Sequence, residues 1–141
     1  MRVDVSVVID RPVRDVFRFV AHDHVRNHPR WDPDMQLEQV SKGPVAAGTI
    51  IRRRHTHRGT PVEGTMEVVE YEPDRAFGAV IREGATEIRG RMTFAAESRH
   101  RTVLTISVDV PVMDESTDAT PLRSLMERSA VNIKHLVESD R

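Results

Sequence analysis

The chain has 141 residues, 21 Lys plus Arg against 22 Asp plus Glu, and no cysteine. That length suits one domain spanning residues 1–141 with a substantial core, while a formal charge of −1 supplies no basic field for nucleic acid. The missing cysteines exclude a disulfide framework, a thiolate nucleophile and a thiolate metal site, which fits a cytoplasmic protein, and no apolar run approaches the roughly 20 residues of a membrane span.

Met1 leads directly into a strand, without a signal-peptide core. Val3, Val5, Val7 and Ile9 alternate along that strand. Arg11-Pro12 then opens a helix, because proline suits the first helical position, where its missing N–H leaves nothing unpaired. Val13, Val16, Phe17 and Val20 form one face of it. The segment 21–33 carries three histidines, two prolines and the only tryptophan, and reads as a short second helix ending near His28-Pro29.

From Met35 the pattern becomes an antiparallel meander, with strands expected near 35–41, 48–57, 62–72, 76–83, 86–96 and 102–110. Ile88, Met92 and Phe94, then Leu104, Ile106, Val108 and Val110, alternate with polar residues, so one side of each of the last two strands is buried. Gly90 falls within the first set and either permits curvature or leaves space. The inward faces of 48–57 and 62–72 stay open. A helix follows over 120–138, with Thr120 as its cap and Pro121 at its first position. Its apolar arc runs through Leu122, Leu125, Met126, Ser129, Ala130, Ile133, Leu136 and Val137.

The elements therefore give an α+β domain in two layers: a seven-stranded curved antiparallel sheet, a long C-terminal helix upon it, and two short helices between strands 1 and 2. The segments VVIDRPVRDVFRFVAH, NHPRWDPD, GPVAAGTIIRRR, GTMEVVEYEPDRAF and RGRMTF, in that order, resemble the polyketide cyclase/dehydratase (SRPBCC) branch of the START-like superfamily, from about Val3 to Val137. The resemblance implies a helix-grip fold with a ligand cavity between sheet and final helix. It implies no universal catalytic motif.

The richest polar segment is IIRRRHTHRG. Arg53, His55 and His57 share one face of that strand, while Arg52, Arg54 and Thr56 share the other. If the histidine face is inward, Arg53 holds a carboxylate or phenolate and a histidine exchanges a proton near neutral pH. Otherwise the segment is a charged edge that discourages aggregation. His55 and His57 lack an evident third metal ligand, so no metal is expected, and no cofactor is implied. His22, His24 and His28 read as solvated. Glu70 and Glu83 read as outward salt-bridge partners, becoming candidate acids only if their strands turn them inward.

The expected ligand is small and apolar or aromatic, lying against Ile88, Met92, Phe94, Ile106 and Val108, with Arg53 and His55 at its polar end. Trp31 suits either a cavity wall or a packing plug, and Ser129 either bonds the carbonyl one turn back or contacts the ligand. A second reading is a cyclase or dehydratase on a poly-oxo substrate, in which His55 or His57 moves a proton and Arg53 stabilises the enolate. A third is a protein-interaction module whose cavity is filled by Met66, Met92, Met113 or Met126. Neither nucleic acid nor membrane is expected as a partner, and the edge strands leave a homodimer open.

Overall fold

The alternating valines of the first segment form β1 (Arg2–Ile9), whose Val3, Val5 and Ile9 are buried. The computed structural model describes residues 1–140. Helix α1 (Val13–Phe17), a π-helical turn (Arg18–His22) and helix α2 (His24–Trp31) carry the chain across to β2 (Gln36–Gln39). Strands β3 (Ile50–His57), β4 (Thr60–Glu72), β5 (Ala76–Glu83), β6 (Thr86–Ser98) and β7 (Arg101–Asp109) follow, and α3 (Thr120–Ser139) comes last. The sheet order is β1-β7-β6-β5-β4-β3-β2, and every neighbouring pair is antiparallel. This is the expected seven-stranded helix-grip layout. No helix among the described residues is long and apolar enough to cross a membrane.

Three helix ends differ from the sequence reading, the first being that Pro12 is the N-cap of α1, just before its first residue Val13. Helix α2 does not stop before Pro29 but continues to Trp31. A proline in the last turn removes a single N–H, and the end is held by two other contacts. The Asp32 N–H donates to the His28 carbonyl at 3.0 Å, and Asn132 Nδ2 on α3 donates to the Trp31 carbonyl at 3.0 Å. At the start of α3 the cap is Ala119 rather than Thr120. Asp118 takes over the chemistry, its carboxylate accepting the Thr120 N–H at 3.0 Å.

The π-helical turn widens the helix between α1 and α2, and side chains of α2 take up its carbonyls. Asn27 Nδ2 donates to the Phe19 carbonyl at 2.9 Å, and His24 Nδ1 donates to the Val20 carbonyl at 2.8 Å. Both side chains are buried, because those carbonyls lie under the helices. The backbone defect thereby fixes which way α2 faces.

The interior has two compartments. Under α1, Phe17 meets Phe94 and Tyr71 edge-on, with centroids 5.0 and 5.2 Å apart, and Val16, Val20 and Leu104 are fully buried around them. The C-terminal half of α3 closes this compartment with Ala130, Ile133 and Val137. Its N-terminal half stands over space instead, which is why Leu125, on the apolar arc, is still 46% exposed. Ile133→Ala should therefore destabilise the protein by about 2–5 kcal/mol in urea unfolding, whereas Val131→Ala on the outer face should change it by less than about 0.5 kcal/mol. Similar effects at the two positions would contradict the packing described.

Candidate functional site

Strand parity settles which side chains meet in the space under α3. On β3, Ile51 and Arg53 are buried while Arg52 and Arg54 are exposed, so the face bearing His55 points inward. Its neighbour β4 turns Met66 and Val68 inward, and β5 does the same with Phe77, Ala79 and Ile81. Ala79 lies opposite Gly90 on β6, and Gly90 lies opposite Val108 on β7. Small residues thus sit side by side across the middle of the sheet. A Cβ placed at Gly90 would meet nothing within 4 Å.

The result is a cavity of about 280 Å³. Ile88, Met92, Ile106 and Val108 form part of its floor, and Leu122, Leu125, Met126 and Ser129 its roof. Trp31, 3% exposed, closes one side, and Arg53 and His55 stand at the polar end. Two residues expected at the site lie elsewhere. His57 is exposed at the hairpin end of β3, beyond the reach of α3. Phe94 shares the inward face of β6 but falls beneath α1, where Phe17 covers it. Among the described residues Ser129 makes no hydrogen bond to the carbonyl one turn back, and the residue lines the cavity.

The polar end centres on a residue that the sequence reading turned outward. Glu83 is inward, its side chain 12% exposed, and its Oε2 accepts from His55 Nε2 at 2.7 Å. The same oxygen lies 3.2 Å from Arg53 Nε, an ion pair without the alignment of a hydrogen bond. Burial lowers the Arg53 pKa, and the Glu83 charge opposes that shift. Neither Nη of Arg53 donates to another described residue. The contact depends on Gly64, the β4 residue paired with Arg53. A Cβ at Gly64 would lie 2.3 Å from the Arg82 carbonyl oxygen and 2.6 Å from Glu83 Cγ, so Glu83 crosses β4 where a side chain is missing. Glu70, by contrast, faces outward and accepts from Arg91 at 2.7 and 3.0 Å.

Two aspartates border this end. Burial and the neighbouring Asp34 carboxylate raise the Asp32 pKa, against the pull of Arg53. Asp34 accepts the Thr56 N–H at 2.8 Å, which ties β3 to the segment after α2 and lowers its own pKa.

The histidines of α2 are not solvated as a pair. His24 is 2% exposed, because its ring must reach the Val20 carbonyl beneath the helix, and His28 lies one turn on with its Nδ1 3.1 Å from His24 Nε2. Burial lowers the His24 pKa to about 4 and holds that of His28 well below its ordinary value. His22 alone is exposed. Among the described residues no three His, Asp or Glu side chains group as a metal site would.

Parity was the available signal for Glu83, which continues the alternation of Phe77, Ala79 and Ile81. The spacing of His24 and His28 showed that they share a face, but only the packing shows that the face is buried.

The family described as polyketide cyclase / dehydrase and lipid transport matches residues 1–138. Among solved structures, a START superfamily protein from Mycobacterium smegmatis is similar, at 14% identity and a TM-score of 0.77, with 97% of each chain covered. The major latex-like protein 151 of Panax ginseng is similar at 13% identity and a TM-score of 0.76, with 96% of each chain covered. The di-domain ARO/CYC protein BexL of the BE-7585A biosynthetic pathway is similar at 20% identity and a TM-score of 0.74, over 98% of this chain and 46% of that one. No curated protein matches the chain.

Two outcomes follow from the geometry. Gly64→Ala should destabilise the protein by about 1–3 kcal/mol in urea unfolding, since the new methyl group meets backbone on β5. The buried histidines make stability depend on pH. The unfolded chain binds a proton on His24 near pH 6.5 and the folded chain only near pH 4, so stability is complete above the first value and lost as pH falls toward the second. Between about pH 7 and about pH 5, urea unfolding should show a loss of about 2 kcal/mol from His24 alone. His24→Phe should flatten that slope; an unchanged slope would exclude His24 as its source.

Proposed function

The chain belongs to the polyketide cyclase / dehydrase and lipid transport family, whose members and fold carry ligand-binding or cyclase-type roles, and on that premise we propose that it binds one small, mostly apolar or aromatic molecule between the sheet and α3. The observation that carries this reading is a cavity with a largely apolar floor and a polar end where a buried guanidinium keeps donors without protein partners. Such a site suits a ligand whose hydrocarbon body displaces poorly held water and whose one oxygen-bearing end is oriented by Arg53. Apolar burial supplies the affinity and Arg53 the direction.

The cyclase or dehydratase reading draws on the contact between His55 and Glu83 at the same end. It is the less supported of the two, because His57, one of the two histidines expected to move a proton, lies outside the cavity. Met66, Met92 and Met126 line the cavity without filling it, which counts against an interaction module with a packed interior.

Filling the space at Gly90 separates binding from folding. Gly90→Leu should weaken calorimetric binding of a neutral aromatic probe, β-naphthol, by at least about tenfold, with a thermal midpoint equal to or above that of the parent. Undiminished binding in this variant would place the probe elsewhere and sink the proposal.

A further inference from the structure

Hydrogen bonds fix where the protons of the α2 histidine pair sit. His24 Nδ1 lies 2.8 Å from the Val20 carbonyl oxygen, which only accepts, so Nδ1 carries the proton. The ring is buried and neutral at neutral pH, so its Nε2 is a bare lone pair. His28 Nδ1 lies 3.1 Å from that lone pair and must donate to it. Burial, the His24 ring and the charge of Arg53 keep His28 neutral as well. Its own Nε2 is therefore left without a proton.

That last nitrogen is not absorbed by the protein. Among the described residues it has no hydrogen-bond partner, it is not sealed from solvent, and His28 lines the cavity. The ring is held in place by stacking on Trp31, with centroids 4.8 Å and planes 20° apart. The Val20 carbonyl, His24 and His28 form a relay that ends in a fixed acceptor. We propose that this relay is a specificity element: the cavity selects neutral ligands that carry a hydroxyl group, donated to His28 Nε2, over their ethers and over carboxylates.

At His28 Nε2 the alternatives fail on charge and geometry. A ligand carboxylate would have no donor at His28 and would meet Glu83, already 3.2 Å from Arg53, and Asp32 in the same cavity. A proton taken by His28 would create a poorly solvated imidazolium near Arg53, so the relay recognises a hydroxyl rather than deprotonating it. An ether oxygen or a carbonyl would oppose one lone pair with another.

The proposal rests on the cavity being the binding site, and its test separates the two. Calorimetry would compare β-naphthol, its methyl ether and β-naphthoate with the parent protein and with His28→Phe, which keeps a ring against Trp31 and removes both nitrogens. Long-range proton–nitrogen-15 spectra of the parent would report the His28 tautomer directly. The expected result is β-naphthol binding about tenfold more tightly than its ether, as one added hydrogen bond gives, with β-naphthoate weakest. The preference should vanish in His28→Phe, and the spectra should show a proton on His28 Nδ1 alone. Equal binding of β-naphthol and its ether would overturn the relay while sparing the cavity, as would a proton on His28 Nε2 at neutral pH. Failure of all three probes to bind, with the expected tautomer present, would overturn the cavity reading and the proposal with it.

Discussion

A guanidinium inside an apolar hollow is tolerated only if opposite charge comes with it, since an unpaired buried ion costs several kcal/mol. Here that charge is Glu83, which arrives from β5 by passing over the one β4 position without a side chain, Gly64. The polar end of the cavity depends on this crossing. Without it Arg53 would have to leave the interior, and His55 would lose the acceptor that orients its ring. The arrangement also balances charge locally, so the cavity presents directed hydrogen-bonding groups rather than a strong net field. That suits it to ligands distinguished by where their polar atoms sit.

The helices divide the labour. The C-terminal half of α3 is pressed onto β1 and the compartment under α1, while its N-terminal half roofs the hollow with Leu122, Leu125 and Met126. The packed compartment and the hollow therefore draw on different turns of one helix. The π-helical turn has a similar double consequence, because the carbonyls of Phe19 and Val20 recruit Asn27 and His24 and so rotate α2 until His28 and Trp31 border the cavity.

Much of this was legible in the sequence where polarity and period agree. β6 and β7 alternate cleanly, and the arc of α3 is continuous, so the sheet, the covering helix and most of the apolar floor could be read from residue type alone. β3 could not be oriented in this way, because Arg52, Arg53 and Arg54 carry the same charge on both faces. Only the pairing of Arg53 with Glu83 breaks that symmetry, and Glu83 is an ordinary strand-end glutamate in sequence. Phe94 shows the opposite failure. Its parity is right, but a strand does not reveal which helix lies over which of its residues. The histidines were misread for a related reason: solvation of a short polar helix depends on whether the turn before it leaves carbonyls to be satisfied.

The strand order carries one further consequence. β1 is the first element in the chain, yet its only sheet neighbour is β7, with Val3 opposite Val108 and Ile9 opposite Thr102. The helix that buries β1, α3, is later still. The sheet and helix contacts that secure the first strand thus span most of the chain, and such distant pairings are slow to form. During synthesis β1 leaves the ribosome as an apolar edge whose partner does not yet exist, exposed to other chains until nearly the whole sequence has emerged. The hollow that β7 and α3 enclose can form only at that final closure, so a molecule present in the cell at that moment meets the site as it is being made.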